Sequence, residues 1–125
     1  MDDKAQILYK FWSSFDWPAY DENTVPDDAR NTYPRITYNV QTDSLGNPLA
    51  LYASLWDYGT SWERLSKKTY EIAKAVADIY PSGIKFDIGR LYLTPGTPFA
   101  QRMSDENDMV RRIYINITAE FFSAY

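Results

Sequence analysis

Arg111-Arg112-Ile113-Tyr114-Ile115-Asn116-Ile117-Thr118-Ala119-Glu120-Phe121 alternates without a break. The odd positions Ile113, Ile115, Ile117, Ala119 and Phe121 are apolar, and the even positions Arg112, Tyr114, Asn116, Thr118 and Glu120 are polar or amphipathic. Successive side chains of a strand point to opposite sides of its sheet. This period of two therefore predicts a long strand over residues 111–121, with one side buried and the other facing water or a partner. The pattern recurs upstream. Over residues 49–58, Leu49, Leu51, Ala53 and Leu55 face one way and Tyr52, Ser54, Trp56 and Tyr58 the other. Over residues 35–43, Ile36, Tyr38 and Val40 alternate with Thr37, Asn39 and Gln41. Ser44-Leu45-Gly46-Asn47-Pro48 reads as the turn that joins these two strands into an antiparallel hairpin.

Two segments carry the helical period instead. Ile7, Leu8, Phe11, Trp12 and Phe15 predict an amphipathic helix over residues 3–14, opened by Asp2 and Asp3 and ended by Trp17-Pro18. Trp62, Leu65, Thr69, Ile72, Ala73, Val76 and Ile79 form one stripe of a second helix that runs to residue 79. Thr60-Ser61-Trp62-Glu63 reads as its capping box, with Thr60 at the N-cap, and Pro81-Ser82-Gly83 as its stop. Glu63 and Lys67 are spaced for a favourable pair one turn apart. Two short strands, residues 84–88 and 90–93, follow around Gly89, and Thr94-Pro95-Gly96-Thr97-Pro98 reads as a rigid turn. Residues 18–34, rich in Pro, Asp and Asn, read as a long connection anchored by Tyr20, Val25 and Tyr33. The order is α-β-β-α-β-β-β. It predicts an α+β fold: a single antiparallel or mixed sheet of about five strands with two helices on its aliphatic face.

The length, 125 residues, is that of one domain spanning 1–125, long enough for a core without covalent staples. There is no cysteine and no histidine, which excludes disulfides, Cys/His zinc sites, thiol nucleophiles and imidazole bases. Lys and Arg number 13 against 17 Asp and Glu, a net charge of −4 that speaks against a protein gripping nucleic-acid phosphates. No apolar run approaches the roughly 20 residues that span a bilayer, and the acidic start Met1-Asp2-Asp3 lacks the basic opening of a signal peptide. Aromatic residues make up 17% of the chain, more amphipathic surface than one small core readily holds.

Catalytic and metal chemistry find little support. Asp105-Glu106-Asn107-Asp108 lacks the glycine and the spacing of a calcium loop and reads as a solvated acidic turn. Gly96-Thr97-Pro98 is no phosphate cradle, because proline removes an N–H. Asn116-Ile117-Thr118 matches a glycosylation triplet but falls mid-strand. No catalytic, metal or cofactor residues are expected. Tyr52, Trp56, Tyr58 and Tyr114, on polar strand faces, could pack within the fold, stack on sugars or bases, or meet another subunit. Subunit contact is the favoured functional reading. Arg111-Arg112 after the acidic turn reads either as local charge pairing or as a rim of complementary charge between subunits.

Several stretches together resemble one family. They are Ala19-Tyr20-Asp21-Glu22-Asn23-Thr24-Val25-Pro26, Ile36-Thr37-Tyr38, Ser61-Trp62, Gly96-Thr97-Pro98-Phe99-Ala100-Gln101-Arg102-Met103 and Arg112-Ile113-Tyr114-Ile115-Asn116. They are similar to the small tail-terminator, or head-to-tail joining, proteins of long-tailed bacteriophages and related prophages. The resemblance implies a non-enzymatic virion protein, assembled in the bacterial host cytoplasm, with no cofactor and no membrane. Its partners would be further copies of itself in a ring, usually a hexamer, the major tail tube protein, and the head connector or neck. DNA would pass without specific binding.

On this reading residues 94–108 and the polar face of the last strand form the assembly surface. The interface candidates are Tyr52, Trp56, Tyr58, Phe99, Arg102, Met103, Arg111, Arg112 and Tyr114. Asp21, Glu22, Asp27, Asp28, Asp105, Glu106 and Asp108 are candidates for an acidic lumen or loop, where negative walls would repel DNA phosphates. The alternatives are another neck or tail-completion component and, from a different class, an aromatic-rich carbohydrate-binding module.

Overall fold

Strand β6, Val110–Ser123, lies inside the sheet, between β3, Leu49–Tyr58, and β5, Gly89–Met103. The structure is a computed structural model that describes residues 3–40, 49–80, 82–86 and 89–123. Among these, the remaining elements are α1, Asp3–Ser13; β1, Ala19–Asp21; a 3-10 turn, Asp27–Ala29; β2, Arg35–Tyr38; α2, Glu63–Ile79; and β4, Ile84–Phe86. The six described strands form one mixed sheet in the order β1-β2-β3-β6-β5-β4, in which β1 and β2 run parallel and every other pair antiparallel. The fold is α+β, as the patterns predict, with one strand more than expected.

Register explains the layering. Leu51 lies opposite Ile117, Ala53 opposite Ile115 and Leu55 opposite Ile113, so aliphatic meets aliphatic along β3 and β6. Ile36 and Tyr38 of β2 and Leu91 and Leu93 of β5 continue that face, and all are buried. Both helices seat on it. Phe11, Trp12 and Phe15 are buried by α1 and its C-terminal turn, with the Trp12 ring stacked on Tyr38 at 6.2 Å between centroids. Leu65, Ile72 and Val76 of α2 join the same core. Helix α1 touches β1 and β4, the strands at the two ends of the sheet order, so the sheet curls around it. Within this core the Tyr38 hydroxyl is pushed up to about pKa 12, first by burial and then by the charge of Asp21 and by Tyr9.

Four local expectations need correction. The connection over residues 18–34 contains β1 and the 3-10 turn; three-residue elements are too short to show a period, and β1 is fixed by its parallel pairing Ala19–Ile36 to Asp21–Tyr38. Thr94–Pro98 is not a turn but part of β5. Beyond Leu91, where β4 stops, β5 has no described strand on its outer side, and an edge tolerates proline. There the segment 96–99 bulges between Pro95, opposite Ile117, and Ala100, opposite Ile115. The capping box does not form. Trp62 itself adopts helical angles, the helix starts at Glu63, and the hydroxyl of Ser61, not Thr60, accepts the Glu63 N–H at 3.1 Å. Helix α1 closes before Trp17-Pro18: it ends at Ser13, whose successor Ser14 bonds back to the Phe11 carbonyl, and Asp16 follows at φ 66°.

Other expectations hold in part. The strands around Gly89 form the β4–β5 hairpin, with Gly89 as the first residue of β5, opposite Phe86. The pair Glu63–Lys67 forms at 3.2 Å. The turn at 44–48, residues 41–43 of the first strand, Pro81 of the helix stop, Asp2, and residues 87–88 lie outside the described residues.

Two buried charges tie the helices down. Lys68, on the buried stripe of α2, donates to the Phe15 carbonyl at 2.7 Å and pairs with Glu71 at 2.9 Å, so it links α2 to the C-terminal turn of α1. Asp57, at the end of β3, accepts two hydrogen bonds from Arg64 and one from the Tyr58 N–H. Burial acts to raise the Asp57 pKa, but those hydrogen bonds and the Arg64 charge outweigh it and hold the carboxyl below its ordinary value.

Gly96 packs so closely on β6 that an added Cβ would stand 2.6 Å from the Asn116 Nδ2 and 2.7 Å from its backbone oxygen. The backbone atom cannot yield, so Gly96→Ala is expected to lower stability by about 1–3 kcal/mol in urea unfolding. For Asp57, a depressed native pKa means stability that is complete above the unfolded value of 3.8 and lost as pH falls through the native value. Asp57→Asn is expected to cost about 1 kcal/mol at neutral pH, a low figure because Arg64 is half-exposed, and to flatten the loss of stability below pH ~4.

Candidate functional site

The sheet has a second face, opposite the helices, and there the even-numbered side chains of β3 and β6 meet. Trp56 lies opposite Arg112, Ser54 opposite Tyr114, and Tyr52 opposite Asn116. From β2, the odd positions paired with that face add Arg35, opposite Trp56, and Thr37, opposite Ser54.

These side chains form a ladder of alternating rings and guanidinium groups. The Arg35 guanidinium carbon lies 4.8 Å from the Tyr33 ring centre and 5.0 Å from that of Trp56. The Arg112 guanidinium lies 4.9 Å from Trp56 and 5.9 Å from Tyr114. Tyr114 stacks on Tyr52 at 5.5 Å, and Tyr33 tilts against Tyr58 at 5.6 Å. A delocalised cation beside a ring face is attracted by the ring quadrupole, so the ladder holds its own members in place.

Hydrogen bonds fix Trp56, both arginines and Tyr52. The Trp56 indole N–H donates to the Thr37 hydroxyl at 2.9 Å, and the Arg112 Nε donates to the Ser54 hydroxyl at 3.0 Å. Arg35 donates from Nη1 to the Thr32 carbonyl at 3.1 Å, while its buried Nε–H has no acceptor among the described residues. At the far end the Tyr52 hydroxyl donates to Glu22 at 3.4 Å. The Glu22 charge, more than burial, raises the Tyr52 pKa above its ordinary value.

The connection between β1 and β2 walls this face. With it, the sheet side chains form an open depression of about 340 Å³, lined by Glu22, Arg30, Arg35, Trp56 and Arg112. Arg30 makes only a long, exposed contact with Asp27 at 3.6 Å, and neither Arg35 nor Arg112 has a carboxylate partner among the described residues.

The interface candidates from the sequence divide into two groups. Tyr52, Trp56, Arg112 and Tyr114 stand together on the ladder, with Tyr58 exposed at its end and Met103 opposite Arg112. Arg102 and Arg111 stand elsewhere, on the helix side, where their guanidinium groups lie 4.6 and 5.5 Å from the Trp62 ring. Phe99 packs against the core from the β5 bulge. Trp62, expected in the core, is only partly buried beneath those two arginines. The segment 94–108 is two things: strand to Met103, then a turn.

The acidic candidates also form two sets. Asp21, Glu22, Asp27 and Asp28 lie on β1 and its connection to β2, and Asp105, Glu106 and Asp108 on the β5–β6 turn. The two connections adjoin at one end of the sheet, where Asn31 and Asn107 line a common hollow. Among the described residues, no three carboxylates converge as a metal would require. Sequence reasoning missed Arg35, Tyr33 and Arg30. Arg35 was legible by parity, two residues before Thr37; Tyr33 and Arg30 lie in irregular chain and carry no period. No protein-family model matches the chain, and no curated protein matches it.

Because Glu22 is the main cause of the raised Tyr52 pKa, Glu22→Gln is expected to bring that phenol down toward 10.0. Tyrosinate absorbance or side-chain NMR across pH 9–12 reads it, by comparison with Tyr52→Phe.

Proposed function

We propose that the chain is a structural protein of virus assembly: a tail-terminator or head-to-tail joining protein that forms a ring on the end of a bacteriophage tail tube. The ring ends tube growth and presents a surface to the head connector. The reading starts from the similarity of residues 19–26, 96–103 and 112–116 to that family. The observation that carries it is the ladder. A domain with both helices on one sheet face holds Trp56, Tyr52, Tyr114 and Arg112, fixed and partly exposed, on the other, backed by the buried Arg35. Rigid aromatic and guanidinium groups are the typical anchors of protein contacts, since little side-chain freedom is lost when they are covered. The same geometry speaks against a sugar platform: arginines lie beside Trp56, and Tyr52 and Tyr114 are stacked on each other.

A ring closes through two different patches per subunit. The ladder supplies one, and the β5–β6 turn at the sheet end supplies another of opposite charge. Among the described residues no helix is long and apolar enough to cross a membrane.

Phage tails assembled in cells that lack this protein are expected to be of irregular, extended length and unable to accept heads. Electron microscopy of those tails and head-joining in extracts read both properties. Tails of normal length that join heads would overturn the proposal.

A further inference from the structure

We infer that the depression lined by Arg30, Arg35, Trp56 and Arg112, whose one carboxylate, Glu22, is engaged by the Tyr52 hydroxyl, is a receptor for carboxylates, and that its occupant is the Asp105-Glu106-Asn107-Asp108 turn of a second copy of this chain. The inference rests on the ring reading for its biological setting and names the contact that would join neighbours.

The receptor is built before anything binds. Arg112 is held by Ser54 and two rings, and Arg35 by the Thr32 carbonyl and two rings. Each guanidinium keeps N–H groups uncommitted, in the planar fork that matches a carboxylate. The Arg35 side chain is more than nine-tenths buried, and its Nε–H lacks an acceptor among the described residues. That donor is enclosed, so Arg35 contributes a fixed positive charge to the depression, while the more exposed Arg30 and Arg112 present the N–H groups that an incoming carboxylate reaches.

The ligand is equally prepared. The Asp105 carboxylate accepts the Asn107 N–H at 3.1 Å, and the Asn107 side chain accepts the Met109 N–H at 2.9 Å. The Gly59 N–H holds the Met109 carbonyl at 2.8 Å, and Arg111 donates to the Asp108 carbonyl. These bonds stiffen the turn, yet Asp105, Glu106 and Asp108 form no ion pair among the described residues and stand exposed.

The two arginines of the doublet thus have different tasks. Arg111 braces the turn of its own subunit, and Arg112 receives the turn of the next. A turn that meets a pocket on another copy, while its own pocket faces a third, is a heterologous contact that propagates around a ring. The acids of this turn are on this account contact residues rather than lining of a bore.

The test uses the full chain. Sedimentation velocity at low salt, up to about 1 mM protein, is expected to show self-association that weakens as salt rises. Arg112→Glu and, separately, the exposed double variant E106K/D108K are each expected to weaken it about tenfold or more. Circular dichroism checks that both fold, and Arg112→Gln, which keeps most of the side-chain volume, is expected to show the same loss. Mixed, the Arg112→Gln and E106K/D108K proteins are expected to recover one contact and stop at dimers, since each pair retains one intact pocket and one intact turn and the neutral glutamine does not attract the reversed turn.

Wild-type protein that stays monomeric, or association undiminished by Arg112→Glu, overturns the inference. Association lost with Arg112→Glu but kept by E106K/D108K also overturns it, and means that the pocket takes a different acidic segment. In each of these cases the tail-length assay still decides the ring reading separately.

Discussion

The register between β3 and β6 is the constraint on which the rest depends. Ten successive pairs, from Leu49 opposite Ala119 to Tyr58 opposite Val110, put the aliphatic residues of both strands on one face. A slip of one residue would turn Leu51, Ala53 and Leu55 toward the opposite face and bring Trp56 and Tyr52 into the helix layer. The core forbids that slip, because Leu55, Ile115 and Ile117 are fully enclosed and Trp12, Leu65 and Ile72 are fitted over them. The helices therefore do more than cover the sheet. By fixing parity they decide which side chains appear on the face they never touch.

That second face shows how a small sheet makes a stiff surface without a second layer of helices. Aromatic residues on an open face would usually lie loosely, since nothing covers them. Here Arg35 and Arg112 stand beside Trp56, Tyr33 and Tyr114, and each guanidinium is also tied to a hydroxyl or carbonyl oxygen. The cations supply attraction between rungs, and the hydrogen bonds supply direction. Individual cation–ring contacts at exposed sites are worth only about 0.5–1 kcal/mol. Their value lies in the entropy already lost before a partner arrives, which then need not be lost on binding.

The regular parts of this design were legible in the sequence and the irregular parts were not. Period two over residues 49–58 and 111–121 assigned Tyr52, Trp56, Arg112 and Tyr114 to one face, and the structure brings them together. The helical stripe of α2 was equally clear, except that Lys68 occupies a buried place, because a long side chain can bury its stem and reach the Phe15 carbonyl with its charge. Parity failed at Pro95-Gly96-Thr97-Pro98. Composition there signals a turn, but the residues lie on the open margin of β5, where a missing N–H is no loss. The short β1 was invisible because its three residues are ordered by pairing with β2, a contact remote from any local pattern.

The bulge at residues 96–99 also explains why the candidate residues of β5 and β6 do not form one surface. It places four residues of β5 opposite the single Asn116. An ideal continuation from Leu91 and Leu93 would leave Arg102 on the outer face. The structure instead sets Arg102 opposite Ile113, on the helix side, together with Arg111. Trp62, at the start of α2, then has two guanidinium groups beside it, a second and smaller version of the arrangement around Trp56. Four arginines close in sequence position or in strand register are thereby shared between two tryptophans on opposite sides of one sheet. Repulsion among them is relieved by the sheet between the two pairs and by ring faces within each, so the basic residues near the acidic turn need not neutralise it. The turn keeps its charge for solvent or for a partner, and the sheet keeps a positive patch on its outer face in a chain whose net charge is −4.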